Sequence, residues 1–177
     1  MNLRNANSDD IEKIAHLHAK SWQENYHEVL DVNYLKTKLV KERVALWTER
    51  LNNPAENQLV LIIEQQGVDN IDTFCGFICV YGDHHKRYGT IIDNLHIVAD
   101  YKGQRLGTQL ISAAAEWAYK HHTKVGIYLE VLECNHKARG FYQSLGAKNE
   151  ATAYWHTPCN NKVKEFIYTW STPEVLI

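Results

Sequence analysis

The sequence predicts a mixed α/β fold of the α+β kind, with a mostly antiparallel sheet of about six or seven strands flanked by about four helices. Three observations predict it. Helical apolar stripes lie near the start, strand-like runs occupy the middle, and a strand–helix–strand unit with the length of a parallel crossover spans 90–131. The 177 residues, 45% of them hydrophobic, suit one domain over 1–177.

The N-terminal part is predicted to be a short strand followed by helices. The strand covers 3–5, and Ser8-Asp9-Asp10 then offers an N-cap and an acidic first turn. Apolar residues at helical spacing continue to Trp22. A second helical region is expected over about 31–51, where the Asn52-Asn53-Pro54 segment ends it.

The middle of the chain predicts a three-stranded meander. The strand-like runs are LVLIIE (59–64), FCGFICVY (74–81) and TIIDNLHIV (90–98). Turn-like segments around 67–72 and 82–89 separate them.

The C-terminal part alternates helices and strands. A helix is expected from Leu106 to about His121, followed by a strand over 125–132. A short helix comes next, with Asn135 as its N-cap and Gly146 just past its end. Two strands, over about 150–156 and 164–171, complete the order.

Composition argues against several classes of function. A formal net charge of -2 without a basic stripe argues against a nucleic-acid partner. No apolar stretch approaches the roughly 18 residues of a membrane span, and the start lacks a secretory signal, so a cytoplasmic location is expected. The four cysteines are expected to be reduced thiols, with Cys75 and Cys79 on one face of a strand. Their spacing and that of the histidines predict no metal site.

The stretch YKGQRLGTQL (101–110) predicts an anion-binding turn at the start of a helix. Amides in the first turn of a helix have no intrahelical partner, and the helix dipole adds positive potential there. Gly103 and Gly107 would allow close approach, and Lys102 and Arg105 add charge. The alternative is a plain strand-to-helix turn. Neither a nucleoside-triphosphate loop nor a dinucleotide fingerprint is present.

Two motifs together resemble the GNAT superfamily of acetyl-CoA-dependent N-acetyltransferases. They are LHIVADYKGQRLG (95–107) and NHKARGFYQSLG (135–146), about 30 residues apart. The order of elements is similar over nearly the whole chain. The resemblance implies transfer of the acetyl group of acetyl-CoA to a primary amine of a small molecule or peptide. The alternative is an inactive member that binds acetyl-CoA as a sensor or interaction module.

The resemblance also implies roles for individual residues. Backbone amides of the turn would bind the coenzyme A pyrophosphate, at Lys102, Gly103, Gln104, Arg105, Leu106, Gly107 and Thr108. Leu95, His96 and Ile97 would hold the pantetheine arm and the acetyl carbonyl through their backbone, and Asn135 would lie nearby. The turn departs from the family pattern because Lys102 stands first and Arg105 replaces a glycine or alanine.

The chemistry implied by the resemblance needs a proton donor and a proton acceptor. Tyr142 matches the family tyrosine beside the thioester sulfur, although its spacing also suits a core residue. The predicted base is Asp93, on the same strand face as Leu95. Glu130 and a relaying water remain alternatives, and both carboxylates also fit solvent-exposed positions.

Aromatic residues are the candidates for the acceptor side. Trp22 and Tyr26 lie four apart on one helical face, and Tyr154, Trp155 and His156 are further candidates in a late strand. Trp22 and Tyr26 also fit an ordinary core. The sequence leaves the identity of the amine open, and a homodimer is expected only by analogy with the family.

Overall fold

In the computed structural model, which describes residues 1–67 and 72–177, seven strands form one sheet with helices on both faces. The strands are β1 (Asn2–Asn5), β2 (Gln58–Gln65), β3 (Thr73–His85), β4 (Gly89–Ile97), β5 (Ile127–Leu132), β6 (Lys148–His156) and β7 (Lys162–Trp170). The helices are α1 (Ile11–Asn25), α2 (Val32–Thr37), α3 (Leu39–Asn52), α4 (Leu106–His121) and α5 (His136–Ser144).

The strand order across the sheet is β1-β2-β3-β4-β5-β7-β6. Strands β4 and β5 run parallel through the α4 crossover, and the other neighbouring strands run antiparallel. The predicted fold class and the predicted crossover over 90–131 are therefore confirmed. Because β7 lies between β5 and β6, the chain's last strand is adjacent to the crossover strand.

The two faces of the sheet are covered by different helices. Helix α4 contributes Leu110, Ile111 and Ala114 to the core on one face, together with apolar residues of β3, β5 and β7. On the other face, Ile14 of α1 and Trp47 of α3 pack on β2 and β3. The site described below lies where β4 and β5 separate, so side chains from both layers reach it.

Strands β4 and β5 separate after two residue pairs. They pair only at Thr90–Ile127 and Ile91–Tyr128. Just beyond these pairs, β4 contains a β-bulge, because Ile92 and Asn94 are opposite consecutive residues of β3 and Asp93 is the extra residue. The bulge bends β4 away from β5, so the strands diverge and a cavity opens between them.

Two predicted element boundaries were wrong. The single helical region over 31–51 consists of two helices, α2 and α3, which are separated at Lys38. Strand β3 extends to His85, so the turn predicted over 82–89 is much shorter. The other turn, predicted around 67–72, falls on residues 68–71, which lie outside the described residues.

All four cysteines are free thiols, but Cys75 and Cys79 do not share a face. Cys75 packs in the α4 layer and Cys79 packs against α1 and α3. A second β-bulge explains this, since Gly76 and Phe74 are opposite consecutive residues of β2 and Cys75 is the extra residue. None of the described helices has both the length and the apolar character that a membrane-spanning segment requires.

Candidate active site

A cavity of about 760 Å³ lies between the separated ends of β4 and β5. Its walls include β4 residues 91–97, β5 residues 129–132 and the glycine turn before α4. Side chains from α1, α3, α5, β6 and β7 complete the lining. The cavity therefore joins most of the residues that the sequence singled out.

The glycine turn has the backbone conformation of an anion site. Gly103 has a φ of 80° and Arg105, the N-cap residue of α4, has φ 61° and ψ 14°. Arg105 thus adopts the left-handed conformation that glycine favours, although it carries a side chain. The first intrahelical hydrogen bond runs from the Gln109 amide to the Arg105 carbonyl at 3.1 Å. The amides of residues 106–108 precede it and have no acceptor one helical turn back.

All of the predicted residues of the turn except Gln104 line the cavity. They are Lys102, Gly103, Arg105, Leu106, Gly107 and Thr108. The Gln104 side chain instead donates to the Asp100 carbonyl at 3.3 Å. Only its backbone amide is therefore relevant to an anion in this turn.

Helix α5 packs on the turn through a tight contact. A Cβ on Gly107 would lie 3.2 Å from Cζ of Phe141, a close contact that would require the Phe141 ring to shift by a few tenths of an ångström. The N-cap residue of α5 is Asn135, whose side-chain oxygen accepts from the Ala138 amide at 3.2 Å, as predicted. Gly146, with a φ of 84°, follows the end of the helix as predicted.

The separated part of β4 contributes Leu95, His96 and Ile97 to the cavity wall. These residues pair with β3 on one side and have no β5 partner on the other. The His96 imidazole stacks on His18 with 5.0 Å between ring centroids. Burial lowers the pKa of His96 to about 3, so its ring is neutral. His18 accepts a hydrogen bond from the Trp47 indole at 3.1 Å.

Tyr142 of α5 lines the cavity and packs edge-on against Trp170, with 6.2 Å between ring centroids. Burial, with a smaller contribution from Tyr26, raises the pKa of Tyr142 well above its usual range. The phenol is therefore protonated at neutral pH and can donate a proton or a hydrogen bond. Burial likewise raises the pKa of Tyr26 to about 12, although a hydrogen bond with Asn135 opposes this effect.

Asp93 is held in an ion pair. Its Oδ2 accepts from Nη1 of Arg50 in α3 at 2.6 Å and also from the Asn94 side chain. The prediction that Asp93 shares a face with Leu95 was wrong. The β-bulge turns Asp93 towards α3, whereas Leu95 packs on the α4 side.

Two further carboxylates, Glu130 and Glu165, face the cavity from neighbouring strands. Glu130 is opposite Ile167 and Glu165 is opposite Leu132, so the two are diagonal neighbours on β5 and β7. Within the described parts of the chain, neither has a basic partner closer than 4 Å.

Repulsion by a neighbouring carboxylate adds to the effect of burial on the pKa of each of these two glutamates. Burial raises the pKa of Glu165 to about 7, and the charge of Glu130 adds to this increase. Burial also raises the pKa of Glu130, with Asp93 adding to it and His84 opposing it. Glu165 was not predicted from the sequence. A carboxylate next to Phe166 in an apolar strand was the available signal, but nothing in the sequence placed β7 beside β5.

An aromatic wall closes one end of the cavity. Trp22 lies 5.5 Å from Tyr26 and 5.4 Å from Trp155, measured between ring centroids. Tyr154, predicted at this position, is 52% exposed and lies under Lys162 instead. Successive residues of a strand point to opposite faces, so the neighbouring candidate Trp155 faces the cavity and Tyr154 does not.

Comparison with known proteins gives one family. The description "Acetyltransferase (GNAT) family" matches residues 12–147. YuaI, an uncharacterized N-acetyltransferase of Bacillus subtilis strain 168, is 24% identical over 149 residues, which cover 84% of this chain and 81% of YuaI.

Solved structures share the fold. A GCN5-related N-acetyltransferase from Rhodopseudomonas palustris has a TM-score of 0.69 at 20% identity, covering 96% of this chain and 94% of its own. Arabidopsis thaliana NAA60, crystallised in complex with acetyl-CoA, has a TM-score of 0.69 at 13% identity, covering 96% and 97%.

Proposed function

The chain belongs to the acetyltransferase (GNAT) family, and on that premise we propose that it transfers the acetyl group of acetyl-CoA to a primary amine of a small molecule or peptide. One observation carries the proposal. A single cavity joins an amide-lined glycine turn, the exposed edge of β4, a protonated tyrosine and two carboxylates that have no basic partner within 4 Å among the described residues. Those are the parts that binding an acyl-coenzyme A and deprotonating an amine require.

The residues present fit acetyl-CoA. The amides of 106–108, with Lys102 and Arg105 beside them, suit the pyrophosphate, and the left-handed Gly103 and Arg105 keep the turn open. The unpaired edge of residues 95–97 suits the amide groups of the pantetheine arm. When bound, acetyl-CoA would supply an acetyl group activated as a thioester.

Proton transfer is the task of the protein's own side chains. An alkylammonium holds its proton to about pH 10, so the amine needs a base before it can attack. Glu165 and Glu130 are available, whereas Arg50 holds the Asp93 carboxylate. We therefore place the base at the Glu130–Glu165 pair, with Asp93 as the alternative. Tyr142 would donate a proton to the leaving thiolate.

The first test is release of free thiol from acetyl-CoA in the presence of an amine panel of polyamines, amino acids, aminoglycosides and short peptides. Thermal stabilisation by acetyl-CoA is measured in parallel. Amine-dependent thiol release with N-acetylated product supports the proposal. Thermal stabilisation without turnover on any amine supports an inactive acetyl-CoA-binding module instead. The absence of both would contradict each of these functions.

For wild-type protein, kcat/KM is expected to rise with pH through about pH 7, as Glu165 loses its proton and becomes a base. In Glu165→Gln, this limb should disappear and kcat should fall, by about 10²- to 10⁴-fold. Glu130→Gln removes a neighbouring negative charge and should move the limb to lower pH. Asp93→Asn serves as the comparison. If it abolishes the limb while Glu165→Gln keeps it, Asp93 is the base.

Gly107→Val is expected to weaken acetyl-CoA binding by at least about tenfold, because the branched side chain would push the Phe141 ring of α5 away from the turn. Isothermal titration with coenzyme A measures the effect. Gly140→Val is the matched control, since a Cβ there meets nothing within 4 Å. Equal affinities for the two variants would show that the phosphate-binding turn lies elsewhere.

A further inference from the structure

Arg43 of α3 is a largely buried charged residue of the cavity whose hydrogen-bonding groups are incompletely satisfied. Its guanidinium lies 4.6 Å from the centre of the Trp22 ring, and its side chain is 14% exposed. The nearest carboxylate, that of Glu42, is 4.0 Å away and already accepts from the Tyr34 hydroxyl at 2.6 Å. Within the described residues, the buried Nε of Arg43 has no hydrogen-bond partner.

A largely buried guanidinium whose Nε has no partner within the described residues, and whose carboxylate neighbour is 4.0 Å away, is costly to retain in a folded protein. Burial accordingly lowers the pKa of Arg43. Its cavity neighbour Arg50 is satisfied by Asp93 at 2.6 Å. Arg43 therefore has hydrogen-bonding capacity that the fold leaves unused, and it presents that capacity to the cavity beside the aromatic wall.

Apart from Lys102 and Arg105 at the glycine turn and Lys137 of α5, the charged side chains of the cavity form two poles. Arg43 and Trp22 make one pole, and Glu130 with Glu165 makes the other. The charge of Asp93, which pairs with Arg50, acts on both Arg43 and Glu130. A ligand with an ammonium group at one end and an anionic group at the other would complement both poles.

The anionic group that fits is a carboxylate. A guanidinium pairs with a planar carboxylate through two parallel hydrogen bonds. A doubly charged phosphate would need more positive charge, and here Asp93 neutralises Arg50 while two unpaired glutamates repel an anion. The charge balance therefore favours a monoanion that carries its own amine.

We propose that the acetyl acceptor is a small amino carboxylic acid, whose carboxylate binds Arg43 while its amino group faces Glu130 and Glu165. This inference rests on the proposed acetyl transfer and names its substrate class. A peptide N-terminus, which lacks a carboxylate next to the amine, would leave Arg43 unpaired. Neutral amines and amides would do the same.

Matched pairs of compounds test the proposal. The kcat/KM of each proteinogenic amino acid is compared with that of its carboxamide, which differs only in losing the negative charge. We expect the best amino acid to exceed its amide by about 30-fold or more, as for loss of one partner of a buried charge pair. In Arg43→Met this ratio should fall to about 1. Arg43→Lys should be intermediate, because an ammonium cannot pair bidentately.

The control is Arg87→Met, which removes an exposed arginine that pairs with Glu150 on the surface. Its acid-to-amide ratio should equal that of wild type. Thermal stability separates a binding role from a structural one. If Arg43 served only to pack on Trp22, Arg43→Met would lower the melting temperature, whereas removal of an unpaired buried charge should not. Amides that react as well as acids, or an unchanged ratio in Arg43→Met, would overturn the proposal.

A binding experiment keeps this inference separate from the proposed function. In the presence of coenzyme A, N-acetyl-L-methionine and N-acetyl-L-methioninamide are titrated calorimetrically into wild type and Arg43→Met. Methionine is chosen because its flexible thioether side chain suits an aromatic wall. Tighter binding of the acid that depends on Arg43 supports the carboxylate site even if no amine is acetylated. Equal binding of acid and amide contradicts it even if acetyl transfer is found.

Discussion

Tyr142→Phe is expected to lower kcat about 10²- to 10⁴-fold while leaving the affinity for acetyl-CoA unchanged. The phenol is protonated at neutral pH because burial raises its pKa, so it can supply the proton that a leaving thiolate requires. Phenylalanine keeps the ring that packs edge-on against Trp170, so the local packing should survive. Steady-state kinetics and coenzyme A titration measure the two quantities.

Tyr168→Phe is the matched control for this experiment. The Tyr168 hydroxyl accepts from the Gln143 side chain at 3.1 Å, and the ring is fully buried in the α4 layer, outside the cavity lining. Loss of the Tyr168 hydroxyl should lower the free energy of unfolding by about 0.5 to 1.5 kcal/mol and leave kcat close to that of wild type. If Tyr142→Phe behaves like this control, Tyr142 is a core residue, which is the other interpretation that its spacing allowed.

The features predicted correctly from sequence are those that depend on local chemistry. Asn135 caps α5 because a side-chain oxygen three residues before an unpaired amide can reach it anywhere in a chain. Gly146 follows the same helix because a left-handed residue needs no tertiary context. The crossover over 90–131 was predictable from its length and from the change of hydrophobic period.

The wrong face assignments share one physical origin, which is the alternation of side chains between the two faces of a strand. A bulge adds one residue, and every side chain beyond it changes face without any change in composition. The bulges at Cys75 and Asp93 therefore made two face assignments wrong, those of Cys79 and Leu95. Both bulges depend on pairing with strands distant in sequence, which the alternation of one strand does not report.

The acceptor end of the site depended on strand order. The sequence predicts the two strands that became β6 and β7 but does not show which of them joins β5. That β7 does so is what brings Glu165 beside Glu130. Arg43 was missed for a similar reason, because a charged residue on an amphipathic helix is usually solvated and only the packing of α3 against α1 brings it over Trp22.

The second large effect is expected for stability, in an ion cluster on the far side of α1. Arg4 of β1 donates to Glu64 at 2.9 and 3.0 Å and to Asp10 at 2.8 and 2.9 Å. The Asp10 side chain is fully buried and also accepts from the Asn7 amide at 2.9 Å and from Lys13 at 2.8 Å. The cluster fixes the start of α1 against β1 and β2.

Arg4→Met is expected to lower the free energy of unfolding by about 3 to 5 kcal/mol, because Lys13 would be the one basic partner left to two buried carboxylates in the described part of the chain. For a chain of this size, that corresponds to a fall in melting temperature of roughly 6 to 20 °C. Chemical denaturation and thermal melts at neutral pH measure it. Arg87→Met, which breaks an exposed ion pair, should cost at most about 1 kcal/mol.

The pH dependence of stability distinguishes this cluster from a general packing defect. Burial alone would raise the pKa of Asp10, but hydrogen bonds from Arg4, Lys13 and Asn7 outweigh it and hold the pKa at about 2, below the ordinary 3.8. A carboxyl with a lowered pKa stabilises the folded state above pH 3.8, and this contribution is lost as the pH falls towards 2. Arg4→Met should flatten the curve of stability against pH across that interval.

The triple variant that adds Asp10→Asn and Glu64→Gln should recover part of the lost stability, since neither carboxylate charge remains. A triple variant no more stable than Arg4→Met, with an unchanged acid slope in both, would show that the arginine acts through packing and that charge pairing contributes little.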